Sequence, residues 1–304
     1  VWAGRGVPCC CVKAKGLEFS CAGTVRRRSP RILVAGGGKL GGAIASRLTT
    51  SATVFGLRRN PGLVPEGVHG IGADLTRPET LARKLPADLD IILYCLTPSS
   101  YDQQGYRDAY VTGLENLLAA VGSQSLKHLF FVSSSSVYSQ DDDSWVDESS
   151  STEPARFSGE QVLAGEQTAL ESGHPATIIR YSGIYGPSRR RFLEEVQEGR
   201  MNPAKPAPFS NRIHEEDAAE AAAHLVKLAL SGASLETCYL ASDCEPVRLD
   251  EVVDWVRQQT PCADPQPDAR TGCRAGSQRC SNKRLPDTGL PFRHPGCRAG
   301  YRPT

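Results

Sequence analysis

The sequence predicts an α/β protein built on a doubly wound parallel sheet. Three observations carry that expectation. Short apolar runs rich in β-formers alternate with segments of helical periodicity from residue 31 onward. A glycine cluster, Gly36-Gly37-Gly38-Lys39-Leu40-Gly41, joins the first run to the first helical segment. The composition is that of a globular chain: 304 residues, 39% hydrophobic and 23% charged, which excludes collagen, coiled coil and wholesale disorder. Strands alternating with helices imply βαβ crossovers and a parallel sheet covered on both faces.

Residues 1–30 show no periodicity. They carry Cys9-Cys10-Cys11 and Arg26-Arg27-Arg28. A basic, acid-poor leader of this kind resembles an organelle transit peptide. A plastid is the expected location, with mitochondrion or cytoplasm as alternatives. The body follows from residue 31. Arg31–Ala35 is a strand, Leu40–Leu48 a helix and Ala52–Leu57 a second strand. A third strand is expected just before Asp74. Leu81–Leu85 reads as part of a helix, Asp90–Leu96 as a buried strand and Tyr106–Val121 as a strong helix. His128–Ser133 is a strand, Gly159–Leu170 a helix, Ala176–Tyr181 a strand and Glu215–Leu230 an Ala-rich helix. Glu236–Ala241 and Asp250–Val256 close the pattern. Gln258–Asn282, rich in Pro, Gly, Cys and Arg, reads as loop. A small C-terminal substrate region is expected to interleave with the sheet over about 180–304.

Charge is unevenly spread. Residues 1–31 hold seven Lys/Arg and one acid, and residues 256–304 hold nine and three. The stretch between them keeps 19 bases against 30 acids. An acidic body argues against a nucleic-acid groove. No apolar run approaches the ~18 residues that span a bilayer. Eight of the 11 cysteines lie towards the two ends, only Cys95, Cys238 and Cys244 lie inside the body, and no C-x-x-C occurs, so free thiols are expected. The six histidines are scattered, with no H-x-H or H-E-x-x-H, so no metal site is expected. No G-x-S-x-G is present, which removes the usual hydrolase elbow.

The glycine cluster fits G-x-G-x-x-G at 36, 38 and 41. Set between a strand and a helix, it marks a dinucleotide-binding loop of a Rossmann-like domain. Gly36 allows the tight turn, Gly38 lets a pyrophosphate approach the backbone, and Gly41 lets helix and strand pack closely. Lys39 and Leu40 open the helix, whose unpaired N–H groups suit phosphate. A P-loop is excluded, because positions 33 and 40 are both Leu. Where an NAD site would carry an acid, the second strand ends in Arg58-Arg59. Two guanidinium groups suit a 2′-phosphate, so NADP is favoured over NAD. Asp74 either accepts from an adenine amino group or caps a helix over Thr76–Leu85. Leu96, at the end of its strand, joins the cofactor-binding set.

These glycines resemble a known family when taken with Asp74-Leu75, the run Ser133-Ser134-Ser135-Ser136-Val137-Tyr138 and Tyr185-Gly186-Pro187. It is the extended short-chain dehydrogenase/reductases, the NAD(P)-dependent epimerase/dehydratase group. Residues Arg212–Asp217 and Ser281-Asn282-Lys283-Arg284 are similar to its atypical branch. The resemblance covers roughly 31–304. It implies hydride transfer at a nicotinamide, a Tyr acid/base with a Lys four residues on, and a Ser that orients a carbonyl. The serine is Ser134. The Tyr-x-x-x-Lys pair is missing: Ser158 stands at the Tyr position, Val162 at the Lys position, and Tyr110 at a family Asn. Proton transfer to a small-molecule substrate then falls to Tyr138, Tyr185 or His214. Alternatively the chain is a non-catalytic dinucleotide binder, structural or redox-sensing, of an organelle. The bland readings are pocket walls or packing for the two tyrosines and a helix cap for His214. Arg180 and Arg212 suit either an anionic substrate or structural pairing.

Overall fold

Seven parallel strands form the central sheet of the computed structural model, which describes residues 17–19, 25–272 and 276–301. They are β1 (Arg31–Ala35), β2 (Thr53–Arg58), β3 (His69–Gly72), β4 (Ile91–Tyr94), β5 (His128–Ser134), β6 (Ala176–Tyr181) and β7 (Cys238–Ala241). Their order is β3-β2-β1-β4-β5-β6-β7. The chain runs outward from β1 in one direction and returns to start the other half at β4. The crevice at this reversal is where sheets of this kind bind ligands, and the glycine loop leaves β1 into it.

Alternate residues of each strand feed two cores. Ile32, Val34, Ile91 and Leu93 face α1 (Lys39–Leu48) and α6 (Glu215–Ser231). Leu33, Ala35, Ile92 and Tyr94 face α3 (Gly113–Val121) and the end of α4 (Phe157–Leu170). Burial on both faces is why these strands read as unbroken apolar runs. Helix α6 meets α1 through Ala218, Ala219, Ala221, Ala222 and Ala223, all buried. Its first turn holds Glu215, Glu216 and Asp217, which complement the helix dipole. The C-terminal region has small cores of its own. α5 (Arg191–Gln197) and α7 (Leu249–Gln259) meet through Val196, Leu249, Val253 and Val256.

Several expectations need correction. No helix covers Leu81–Leu85. Pro78–Thr80 forms a single 3₁₀ turn, and Arg83 and Asp88 take positive φ of 57° and 53°, which no helix accommodates. Leu81 and Leu89 are nonetheless buried, so the apolar pattern reported burial rather than helix. The Tyr106–Val121 helix begins earlier, as α2 (Gln103–Arg107), capped by the Asp102 carboxylate on the Gly105 N–H at 2.7 Å. It is then widened by a π turn over Asp108–Thr112. Within that turn the Ala109 carbonyl accepts from the Tyr94 hydroxyl at 2.6 Å. The stretch 258–282 is mostly irregular, but Arg279–Cys280 pairs in parallel with Trp145–Val146. In the leader, Leu17–Phe19 and Val25–Arg27 form a short antiparallel pair, and Arg28 reaches the Asp90 carboxylate at 2.8 Å. Cys9, Cys10, Cys11, Cys21 and Cys273 lie outside the described residues. Cys95, Cys238, Cys244, Cys262, Cys280 and Cys297 are free thiols.

Candidate functional site

The carboxyl ends of the strands bring most of the sequence-derived positions to one edge of the sheet. Gly36, with φ of 109°, turns the chain out of β1, and its N–H donates to the Leu57 carbonyl at 3.0 Å. A Cβ at Gly36 would collide with the Cys95 carbonyl oxygen, and one at Gly41 with the carbonyl of Gly36. Neither position tolerates a side chain. Gly38 differs: a Cβ there would meet nothing within 4 Å. The open space in front of Gly38 lies at the N-terminus of α1, beside Lys39 and Leu40.

Arg58 closes one side of the loop. Its Nη1 donates to the Gly37 carbonyl at 2.7 Å and to the Leu63 carbonyl at 2.8 Å. Arg59 is exposed. Asp74 follows β3, and its Oδ1 accepts from the Thr76 N–H at 3.0 Å and the Thr76 hydroxyl at 2.8 Å. It caps a turn, not the helix that one sequence reading offered. Leu96 is half-buried beyond β4, its backbone against Gly36. Between α1 and the start of α6 lies a cleft of about 330 Å³. Lys39, Leu40, Arg47, Ser188, Arg189 and Glu215 line it.

Ser134 ends β5, half-buried, with its hydroxyl accepting from the Ser136 N–H at 3.2 Å. Tyr138 is buried. Its hydroxyl donates to the Asp147 carbonyl at 2.8 Å and accepts from Arg180 at 2.9 Å. Burial raises its pKa strongly against the pull of Arg180. Arg180 itself makes a two-pronged ion pair with Glu166, at 2.9 and 2.7 Å, and the Ser133 hydroxyl also bonds to Glu166. Sequence reasoning did not find Glu166, which no motif marks.

A model of the NAD dependent epimerase/dehydratase family matches residues 32–228. The chain belongs to this epimerase/dehydratase family. A Methylobacillus flagellatus protein, provisionally assigned as an NAD-dependent epimerase/dehydratase, is 36% identical. The match has a TM-score of 0.77 and covers 90% of this chain and 97% of that one. UDP-glucose 4-epimerase of Thermus thermophilus, solved with NAD, is 22% identical with a TM-score of 0.70, over 90% and 96% of the two chains. A conserved protein of unknown function from Silicibacter pomeroyi is 23% identical with a TM-score of 0.67, over 90% and 96%. At these lower identities the likeness is one of fold. No protein of curated function matches the chain.

In this epimerase/dehydratase chain, the positions that the resemblance gives to the proton relay are occupied differently. Ser158 is buried in the first turn of α4, and Val162 is buried one turn on. The Tyr110 ring, carried by the π turn, packs into the apolar cluster that contains Val162. Tyr185 and His214 sit on neighbouring strands of a short parallel pair, Gly183–Tyr185 with Arg212–His214. Both are buried. His214 caps α6, its Nδ1 accepting from the Glu216 N–H at 3.3 Å. Burial, then His294, lowers its pKa. Its ring lies 3.7 Å from that of His294, and Asp217 holds the His294 Nδ1 at 3.3 Å. His214, His294 and Glu216 place ligand atoms within 4.8 Å of one another, with the two rings tilted by 33°, a grouping that the scattered histidines of the sequence did not predict. Burial also raises the Tyr185 pKa. Arg212 donates to the Tyr301 hydroxyl at 2.8 Å and stacks 4.0 Å from the Phe192 ring.

Proposed function

We propose that this chain binds NADP(H) across the carboxyl edge of the sheet and acts as an oxidoreductase or epimerase-like protein on a small-molecule substrate. The observation that carries the reading is the contrast among the three glycines. Gly36 and Gly41 are closed by backbone, whereas Gly38 faces open space that a Cβ would enter. That is the cradle a pyrophosphate needs, and the N–H groups opening α1 supply its donors. The Asp74 carboxylate follows β3 and is able to accept from an adenine amino group, which supports the same reading. Arg58 and Arg59 stand in place of the acid that ribose hydroxyls require. Arg58 is bonded to the Gly37 and Leu63 carbonyls, so exposed Arg59 is the one left to meet a 2′-phosphate, which favours NADP although the Thermus thermophilus epimerase carries NAD.

When bound, the cofactor supplies hydride chemistry. The chain's own part is to hold a carbonyl near Ser134 and to move a proton. Tyr138 is committed to Asp147 and Arg180, and Tyr185 and His214 are buried against each other with rings 5.3 Å apart. Apolar packing around Val162 and Tyr110 supports a second reading, a dinucleotide binder with little turnover. Titration with NADPH and NADH tests binding, and a stopped-flow assay with NADPH over a panel of aldehydes and quinones tests turnover. Absence of binding to either dinucleotide refutes both readings. Tight binding without turnover on any substrate selects the second.

A further inference from the structure

Three arginines follow the Tyr185-Gly186-Pro187 turn, and their side chains take different courses. Arg190 lies 3.8 Å from Glu194 and Arg191 lies 3.0 Å from Glu195, pairs that decorate the start of α5. Among the described residues, no carboxylate lies within ion-pair distance of Arg189. The residue is exposed and lines the cleft shared with Lys39 and Leu40. Lys39 and Leu40 directly follow Gly38 at the start of α1, so the cleft that Arg189 lines adjoins the glycine loop.

The turn that carries Arg189 is fastened in place. The Ser188 N–H donates to Glu215 Oε1 at 2.9 Å, and the Ser188 hydroxyl bonds to Oε2 of the same carboxylate. Lys39 Nζ donates to the Ser188 carbonyl. The Arg189 N–H closes the turn on the Gly186 carbonyl at 2.9 Å. Lys39 belongs to the glycine motif, so these bonds tie the turn to the start of α1. Glu215 and Glu216 line the same cleft. With two carboxylates nearby, an anion needs a compensating cation, and Arg189 supplies one that no described carboxylate engages.

We infer that Arg189 is the group that neutralises the pyrophosphate of the bound dinucleotide, positioned by the Ser188–Glu215 and Lys39–Ser188 contacts. This rests on the dinucleotide reading above and adds a binding residue from a turn outside the glycine motif. The pyrophosphate is common to NAD and NADP. Arg189 therefore contributes to affinity for both and to discrimination between them not at all.

The test is titration of NADPH and NADH by their fluorescence, on the native protein and on Arg189→Gln, Arg189→Lys and Arg190→Gln. Arg189→Gln is expected to weaken both dinucleotides by the same factor, about 10- to 100-fold, the size of a charge-assisted hydrogen bond. Arg189→Lys is expected to recover part of that loss. Arg190→Gln, one residue away and paired with Glu194, is expected to change neither by more than about twofold. Melting temperatures within about 2 °C of the native protein check that the turn is intact. Native-like affinity in Arg189→Gln overturns the assignment alone. So does an equal loss in Arg190→Gln, which would indicate a general field. A native protein that binds neither dinucleotide overturns this assignment together with the functional reading on which it rests.

Discussion

The three glycines of the motif have different surroundings, and substitution separates them. Gly38→Trp is expected to abolish dinucleotide binding while the melting temperature stays within about 2 °C, because its side chain enters open space. Gly36→Ala and Gly41→Ala are expected to lose stability instead, by about 1–3 kcal/mol or more, since each Cβ meets a backbone oxygen that cannot move aside. Thermal melting and cofactor titration on all three variants read the contrast. Arg58 and Arg59 separate similarly. Arg58 holds the Gly37 and Leu63 carbonyls, so Arg58→Ala is expected to weaken NADPH and NADH alike. Arg59 is exposed, and Arg59→Ala is expected to weaken NADPH by about 10-fold and NADH little. Calorimetry with both cofactors distinguishes them. The motif and the two arginines were legible because glycine spacing and charge are written in the sequence. That Arg58 is bonded to the loop carbonyls while Arg59 is exposed was not, since it depends on which guanidinium the chain after β2 turns inward.

Among the elements, β5, α4 and β6 are joined by the buried Glu166–Arg180 pair. Removing one partner of such a pair leaves an uncompensated charge in the core. Arg180→Met is expected to cost about 3–5 kcal/mol in urea unfolding. The double change Glu166→Leu with Arg180→Met is expected to restore most of it, since no lone charge then remains. A second element-level case follows β7. Asp243 is buried, its backbone N–H donating to the Arg212 carbonyl at 2.6 Å. Among the described residues, its Oδ2 and the Arg212 Nε have no hydrogen-bond partner. Burial pushes the carboxyl up to about 8, against the opposing Glu245 N–H and Arg212. The folded chain therefore binds this proton more tightly than the unfolded chain, whose carboxyl titrates near 4. Its contribution to stability is complete below about pH 4 and is lost as pH rises toward 8. The urea midpoint is expected to fall from pH 5 to pH 8.5 in the native protein and to fall less in Asp243→Asn. Neither feature could be read from the chain. Glu166 and Arg180 are 14 residues apart on different elements, and only the packing of α4 on β6 brings them together.

At the scale of the whole molecule, the leader and the body meet at Arg28. Its guanidinium pairs with Asp90 at 2.8 Å, and the Pro30 carbonyl accepts from the Thr53 N–H at 2.8 Å. A chain lacking residues 1–24 is expected to melt within about 2 °C of the full chain. One lacking residues 1–30 is expected to melt several degrees lower, because buried Asp90 then keeps only Lys127 at 3.2 Å as a charged partner among the described residues. Thermal melts of the two truncations decide this. The sequence placed the body's edge at residue 31, where apolar periodicity begins. The Arg28–Asp90 ion pair joins residues on the two sides of that edge.

The sheet, its parallel sense and its helices were readable because burial on both faces writes continuous apolar runs, and those runs survive in the sequence whatever surrounds them. The glycine loop was readable because backbone geometry at φ of 109° leaves little choice of residue. Packing decided the rest. Leu81 and Leu89 mark burial, yet positive φ at Arg83 and Asp88 excludes a helix between them. Tyr110 is an ordinary helical residue by sequence; the π turn carries its ring into the cluster around Val162. Tyr138, Tyr185 and His214 were read either as proton donors on loops at the carboxyl ends of strands or as packing and capping groups, and the fold buries all three. Whether a hydroxyl or imidazole is available or committed depends on the partners that distant segments deliver, and local pattern carries no record of those.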